Sequence, residues 1–550
     1  MACYALLALL VALCSGQTAS PTTSPCSAPP GYFCSGGTAL LCPIGAYCAG
    51  GAALNASCAP LTACTVAGLS AQPPCYWIVS TFAGNGVAAY ANGRGLAASF
   101  NDPRGISTNS SGFSFVVDLG NSRVRLLSPA GDVTFLAGSG SLGWVDGIGA
   151  AASFNQPTAS AVLNSTHIFV ADTTNNRLRY VVVRTGFVGT FAGDGFGSPA
   201  SGRWLDGVGT SASFFSPSGL AFDRAGNGYI ADGQNHRIRR VSPSAVVTTF
   251  CGTGAASYAD GPCSTAAFNF PFGVAVDSLF SVYVVEHSPN NFLRRIFPNG
   301  TVHTLVGSSS AAWADGFGAM ARFYDPLDVA LDTAGTAFIA DFSNNRIRMV
   351  KDRTVTTIGG NGAAAWNDGF GTASSFNGPR SLSVSQDGTV LVVDDLNHRI
   401  RKLACVPCPA SYYCLSGAPA LCPAGSYCAL SSINATPCPA GSFSNAGASS
   451  CTPCLAGTFA STTGSPSCQK CTGGHYCPAG TSSWARTNCG RGFYCPDGSS
   501  GPTPCPFQVP PSGGWGALKV QGPAFLVETA HCLNHCFWNS TSGDGTLSKC

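Results

Sequence analysis

Charge is scarce in this chain of 550 residues: Asp, Glu, Lys and Arg together make up 10% of it. The formal net charge is only +3, and residues 76–404 hold 23 basic against 22 acidic side chains. No part of the chain can carry the basic excess of a nucleic-acid surface, so nucleic acid is excluded as a partner. Long apolar runs are missing too. Ala5 to Leu13 is nine apolar residues, too short to cross a bilayer, and no later run reaches 18. That first run, despite lacking a Lys or Arg before it, reads as the core of a secretory signal over residues 1–20, with cleavage after Gly16. The mature chain is expected to be soluble, and membrane-linked only if it is a fragment of a receptor. Catalytic constellations are also absent. The five histidines between 76 and 404 are His167, His236, His287, His303 and His398, and none sits in a nucleophile or metal motif.

What the chain has instead is glycine (68), cysteine (28) and a period. A Phe in A-x-F or S-x-F context recurs at Phe100, Phe154, Phe214, Phe268, Phe323 and Phe376, at intervals of 54, 60, 54, 55 and 53 residues. Such a period marks a repeat architecture. Each copy opens with an aromatic and a D-G turn: WVDG from Trp144, WLDG from Trp204, YADG from Tyr258, WADG from Trp313 and WNDG from Trp366, with Tyr90-Ala-Asn-Gly in the first. A Pro follows the Phe (Pro103, Pro157, Pro217, Pro271, Pro326, Pro379), and then come short runs rich in Val, Ile, Phe and Thr, bounded by Gly and Asn. These read as strands. Four strands per copy and six copies make an all-β, six-bladed β-propeller over residues 76–404.

The runs N-H-R-I-R at Asn235 and Asn397, N-N-R-L-R at Asn175 and N-N-R-I-R at Asn344 resemble the NHL repeat, as does the preceding strand Asp at Asp118, Asp172, Asp232, Asp341 and Asp394. Copy four departs from the pattern, with Glu286 for the Asp and Phe292 for the first Arg. The resemblance implies a propeller that binds protein, or in some members nucleic acid.

Cysteine sets the compartment. The phrases PPGYFC, CPIGAYC, CPAGSYC and GRGFYCPDG resemble ephrin-receptor-like cysteine-rich repeats, over about residues 26–64, inside a cysteine-rich module of residues 21–75, and again over 405–506. Residues 507–550 form a cysteine-containing tail that reads as an unfinished module, so the chain is expected to be truncated there. Such segments have too little apolar content for a core and depend on disulfides. With Cys3 and Cys14 removed, 26 cysteines remain, in even groups: six before Cys75, the pair Cys75 and Cys405 flanking the propeller, the pair Cys251 and Cys263 inside it, and 16 from Cys408 onward. An oxidising compartment follows. The competing zinc reading of Cys451/Cys454 and Cys468/Cys471, and of His531-Cys532-x-x-His535-Cys536, is the weaker one in this setting.

Copy six lacks a fourth strand, and Tyr76 to Phe82 has the pattern of one, so residues 76–82 should complete the last blade. Aligning Arg399 with Arg237, and Phe82 with Phe250, places both Cys405 and Cys75 at the level of Pro243, where a bridge would stand in for the cut hairpin turn. Cys251 and Cys263 replace small residues at two aligned positions and should bridge locally.

Six glycosylation sequons are present, at Asn55, Asn109, Asn164, Asn299, Asn434 and Asn539. The D-G carboxylates (Asp146, Asp206, Asp260, Asp315, Asp368) read as turn residues capped by their own side chains, with Ca²⁺ the rival role. The strand Asp and both Arg of each R-x-R read as ion pairs within or between blades, with an anion-binding site the rival role. Asp328 is the single carboxylate at the start of an inner strand, which argues against an axial metal. The function expected is a secreted or cell-surface binding or adhesion module that presents a rigid face to a protein or glycan, without a cofactor. The alternatives are an extracellular propeller hydrolase or lyase, and a receptor ectodomain.

Overall fold

The computed structural model describes residues 75–196, 204–414, 419–483, 487–490 and 493–504, and the backbone of four short strands between 32 and 57. Six five-stranded sheets form the six blades of a β-propeller. In the third blade the inner strand Pro217–Phe222 is followed by Gly228–Asp232, Arg237–Val241 and the outer strand Val246–Cys251, each antiparallel to its neighbour. A fifth strand, Gly207–Val208, pairs with the outer one. At two residues it is too short for apolar alternation to mark, which is why four strands per blade are expected from sequence alone.

The meander gives the ring two distinct faces. The starts of the inner and third strands, and the ends of the second and fourth, lie on one face, here called upper. The turns between first and second, and between third and fourth strands, lie on the lower face. Adjacent blades are cemented by the repeated phenylalanines Phe100, Phe154, Phe214, Phe268, Phe323 and Phe376, all fully buried.

The strand Cys75–Ala83 completes the sixth blade, between Arg399–Pro407 on one side and Gly369–Phe370 on the other. Its Val79 and Ala83 enter the core. Cys75 is bridged to Cys405, with Cα atoms 5.5 Å apart. One detail differs from the aligned expectation. The two strands stay paired past the level of a turn, to Cys75 opposite Pro407, and Cys405 lies opposite Trp77. The bridge therefore runs diagonally across a continuing ladder and does not replace a turn. Without a tight turn to make, nothing forces the two strands apart at the position aligned with Pro243.

Cys251 and Cys263 are bridged, with Cα atoms 4.5 Å apart, and the Gly252 N–H donates to the Cys263 carbonyl at 3.1 Å. The bridge fastens the end of one outer strand to the loop that enters the next blade. Replacing both by Ala is expected to cost about 3 kcal/mol, the chain-entropy value for a loop of this size, read as a drop in urea midpoint. A non-reduced peptide map should show the two peptides linked.

Beyond the ring, the described residues of the tail form small hairpins, such as Ser426–Tyr427 with Thr436–Pro437 and Ser442–Phe443 with Thr452–Pro453. Bridges Cys408–Cys414, Cys422–Cys428, Cys438–Cys451, Cys454–Cys468, Cys471–Cys477 and Cys489–Cys495 supply the interior. Successive units are stitched by backbone bonds, Gly425 N–H to Ser444 O and Gly441 N–H to Ala460 O among them. Cys451, Cys454, Cys468 and Cys471 are thus occupied in bridges. The His531–Cys536 cluster lies outside the described residues. The N-terminal unit, residues 1–73, contains the hairpins Tyr32–Ser35 with Thr38–Leu41 and Ala46–Tyr47 with Ala56–Ser57.

Candidate functional site

The repeat motif is best read in the third blade. Asp232 is fully buried and accepts three bonds: from the Phe215 N–H at 2.7 Å, the Asn235 side chain at 2.9 Å and Arg239 Nη1 at 2.9 Å. Arg239 is fully buried as well. It donates to the Ser213 and Leu205 carbonyls and pairs with the D-G carboxylate of Asp206 at 2.8 Å. The same arrangement recurs at Arg179 with Asp172 and Asp146, Arg348 with Asp341 and Asp315, and Arg401 with Asp394 and Asp368. In the first blade Asn92 takes the D-G place beside Arg125. Burial pushes the strand carboxyls upward while the paired guanidinium opposes it, and in the fourth blade Glu286 is raised to about 7.

Two expectations are corrected here. The D-G carboxylates are not capped by their own turns and hold no Ca²⁺ cage. Each binds the buried Arg, and Asp146, Asp206, Asp260 and Asp315 also accept from Thr190, Thr249, Thr304 and Thr357 of the outer strand. A sequence signal was available, since Asp206 and Arg239 lie 33 residues apart and so do Asp146 and Arg179. The second correction concerns the first Arg of each pair, which forms no ion pair. It lies over the aromatic that opens the copy: Arg177 over Trp144 at 4.4 Å, Arg237 over Trp204 at 3.9 Å, Arg346 over Trp313 at 4.2 Å, Arg399 over Trp366 at 4.1 Å and Arg123 over Tyr90 at 4.3 Å. A Cβ on Gly195 (φ +83°) would collide with the Arg177 guanidinium, which explains a glycine at that loop position. Where Phe292 replaces the Arg, the loop carries Ser309 in its place.

The residue before the first Arg takes a left-handed conformation and staples blades together. His236 Nδ1 accepts the Phe270 N–H at 3.2 Å, and His398 Nδ1 accepts the Asp102 N–H at 3.1 Å across the closure. Asn176, Asn291 and Asn345 do the same with side-chain oxygens.

With the motif committed to structure, the free chemistry lies on the upper face, in two places. The first is the ring of stacked aromatics, Tyr90, Trp144, Trp204, Tyr258, Trp313 and Trp366, each between 41% and 56% exposed. The second is the mouth of the central channel, a cavity of about 340 Å³. The residue after the repeat Pro lines it in five blades, as Arg104, Thr158, Ser218, Phe272 and Arg380, and the sixth such residue, Leu327, lines the channel beyond. Arg104 chelates Asp102 with bonds of 3.2 and 3.0 Å. Arg380 faces Asp395 at 3.6 Å.

No family model matches the chain. Bovine (Bos taurus) NHL repeat-containing protein 2 is 28% identical over 324 residues, covering 52% of this chain and 44% of that protein. Mouse (Mus musculus) teneurin-1 is 26% identical over 230 residues, 36% of this chain and 8% of that protein. The blades are NHL repeats. The chain spans less than half the length of either relative. A solved streptogramin B lyase is 12% identical, with a TM-score of 0.38, covering 60% of this chain and 98% of that one.

Deeper in the channel of the NHL ring, Asp328 accepts from Ser381 Oγ at 2.7 Å and from the Leu382 N–H at 3.1 Å, with no cation beside it. Burial raises its carboxyl to about 6, against those hydrogen bonds. A folded-state value above the unfolded one means the native state binds the extra proton, so Asp328 weakens the fold progressively as pH rises from about 4 to 6 and fully above that. Asp328→Asn is expected to gain up to about 3 kcal/mol at pH 8 and almost nothing at pH 4, seen as a difference in melting temperature between the two pH values. An equal gain at both would contradict it.

Proposed function

We propose that this protein is an extracellular binding module whose NHL propeller recognises a protein or glycan with its upper face. The observation that carries the reading is the ring of six half-exposed aromatics, each but Tyr258 laid on the first Arg of its own repeat. Large rings held in one orientation offer contact area at small entropic cost, and such residues dominate recognition surfaces.

The lower face supports the assignment by what it carries. Asn109 and Asn164 lie in turns between first and second strands, and Asn299 in a turn between third and fourth. Asn164 and Asn299 are exposed and Asn109 half-buried. Glycans at these turns would occupy the lower face, away from the aromatics of the upper one. Asn434 is exposed in the tail, while Asn55 and Asn539 lie outside the described residues. The bridges, and the likeness to a teneurin, support the extracellular setting.

The test is binding of the full secreted chain to cell surfaces, read by flow cytometry. Trp204→Ala with Trp313→Ala should lower it at least tenfold. Asn109→Gln with Asn164→Gln should leave it unchanged. The reverse pattern would reject the upper face.

A further inference from the structure

Six copies of one motif would build six equal sectors at the channel mouth, but the sectors differ. Two residues past the repeat Phe the backbone is left-handed in every blade, and the residues there are Asp102, Gln156, Ser216, Phe270, Asp325 and Gly378. The first and sixth blades give the cavity charged walls, and those charges are closed among themselves. Arg104 holds Asp102 through both oxygens and reaches Asp395 at 3.8 Å, and Arg380 reaches the same Asp395 at 3.6 Å. The second, third and fourth blades line the cavity without a carboxylate, Lys or Arg.

In that uncharged sector four polar groups have no hydrogen-bond partner among the described residues. Thr174 Oγ1 donates to Gln156 Oε1 at 3.0 Å, which leaves the Gln156 amide N–H₂ free. The Gln234 amide and the Ser216 hydroxyl are free as well. His287 Nδ1 faces Asp325 Oδ1 at 3.7 Å, which leaves its Nε2 unengaged. Burial holds that imidazole below its ordinary value, against the pull of Asp325, so it is uncharged at neutral pH.

Two rings stand beside these groups. Phe270 has φ +49°, a conformation that bulky side chains rarely adopt, and the other blades fill the position with Asp, Gln, Ser or Gly. Strain of this kind gathers at functional sites. The Phe270 ring is braced by His236 at 4.7 Å and His287 at 5.5 Å, and Phe272 lies 5.9 Å from His287. Both phenylalanines are half-buried and line the cavity.

We propose that this sector binds an uncharged polyol with one apolar face, a hexopyranose ring, laid with its C–H face on Phe270 and Phe272 and its hydroxyls toward Gln156, Ser216, Gln234 and His287. Amides and hydroxyls both donate and accept, as every sugar hydroxyl does, so a few of them satisfy a ring of vicinal hydroxyls. An anion finds no unpaired cation among the described residues that line the cavity. A plain hydrocarbon would take water from the four polar groups without replacing its bonds. The cavity, about 340 Å³, is in the size range of small-ligand sites. The terminal sugar of a glycan and a free hexose share this chemistry. The site is separate from the outer ring of aromatics and goes beyond the reading of that surface.

The experiment is saturation-transfer NMR of the full chain with the methyl glycosides of glucose, galactose, mannose and N-acetylglucosamine, followed by a glycan array. At least one of the four is expected to bind at millimolar concentration, with the strongest transfer to its ring C–H protons. Phe270→Ser, which takes the residue of the third blade, should weaken that binding at least tenfold. Gln156→Ala with Gln234→Ala, both on exposed side chains, should do the same with an unchanged melting temperature. Trp204→Ala with Trp313→Ala should leave it unchanged, so the outcome is independent of the outer ring. Tighter binding on the array to glycans ending in the same sugar identifies a glycan terminus as the source, and equal affinity a free hexose. No binding of any of the four to the unaltered chain, a preference for acidic termini on the array, or binding that survives both Phe270→Ser and the glutamine pair overturns the proposal.

Discussion

Removal of residues 75–83 is expected to leave the protein without a stable monomeric ring. That strand is the fourth of the sixth blade, bonded to Arg399–Pro407 along its length and to Gly369–Phe370 on its other side. It buries Val79 and Ala83, and its Thr81 completes the polar girdle, donating to Asp368 at 3.0 Å and accepting from Trp366 Nε1 at 2.8 Å. Without it the strand Arg399–Pro407 becomes an open edge that can pair with another chain. Light scattering should report oligomers or aggregate, and the cooperative melting transition should be lost. A monomer with unchanged melting would refute this closure. The milder variant, Cys75→Ser with Cys405→Ser, keeps the strand and loses the bridge. It closes a loop of 331 residues (405 − 75 + 1), for which the chain-entropy model gives an upper figure of about 5–6 kcal/mol. The double variant should fold, with a large drop in urea midpoint and little change in slope.

Arg239→Met is expected to cost about 3–5 kcal/mol, as the breaking of buried pairs does, although Arg239 touches no surface where a ligand could bind. The replacement strands Asp232, fully buried, without its countercharge and leaves the Leu205 and Ser213 carbonyls without their donor. Forced burial of an uncompensated carboxylate raises its folded value further, so the loss should be greater at pH 8 than at pH 5. Adding Asp232→Asn should recover part of the loss, since the buried charge then disappears along with its partner. A double-mutant cycle by urea unfolding measures the coupling. Additive losses would mean that the pair does not act as a unit. An anion-binding role for these arginines fails on the same geometry, because their terminal nitrogens are already bonded inside the blade.

Much of the architecture was legible in the chain because repetition multiplies weak signals. A single Phe100 says nothing, but six at nearly constant spacing specify a ring, and a copy that lacks its fourth strand points to where the missing one must come from. Charge roles were harder to read. Strand alternation puts Arg237 and Arg239 on one side, which suggests a shared role, but Arg237, at the start of its strand, lies under the half-exposed Trp204, while Arg239, two residues on, is fully buried against Asp232 and Asp206. The link from Asp206 to Arg239 crosses from a loop to the third strand, beyond the reach of local pattern reading. Its trace is the fixed interval between the two residues. The channel mouth was least visible of all. Arg104 and Arg380 lie far apart in sequence and meet only because the ring closes. There they share Asp395, at 3.8 and 3.6 Å, and Arg104 takes Asp102 as well, a grouping that the triplets RGI and RSL do not reveal.

The most direct test of the whole account is mass spectrometry, without reduction, of the protein secreted by eukaryotic cells. A closed extracellular propeller predicts a peptide linking Cys75 to Cys405, a second linking Cys251 to Cys263, and glycans at Asn109, Asn164 and Asn299 on the lower face. Free thiols at Cys75 and Cys405, with those three asparagines unmodified, would contradict both the covalent closure and the compartment in which the face is proposed to act.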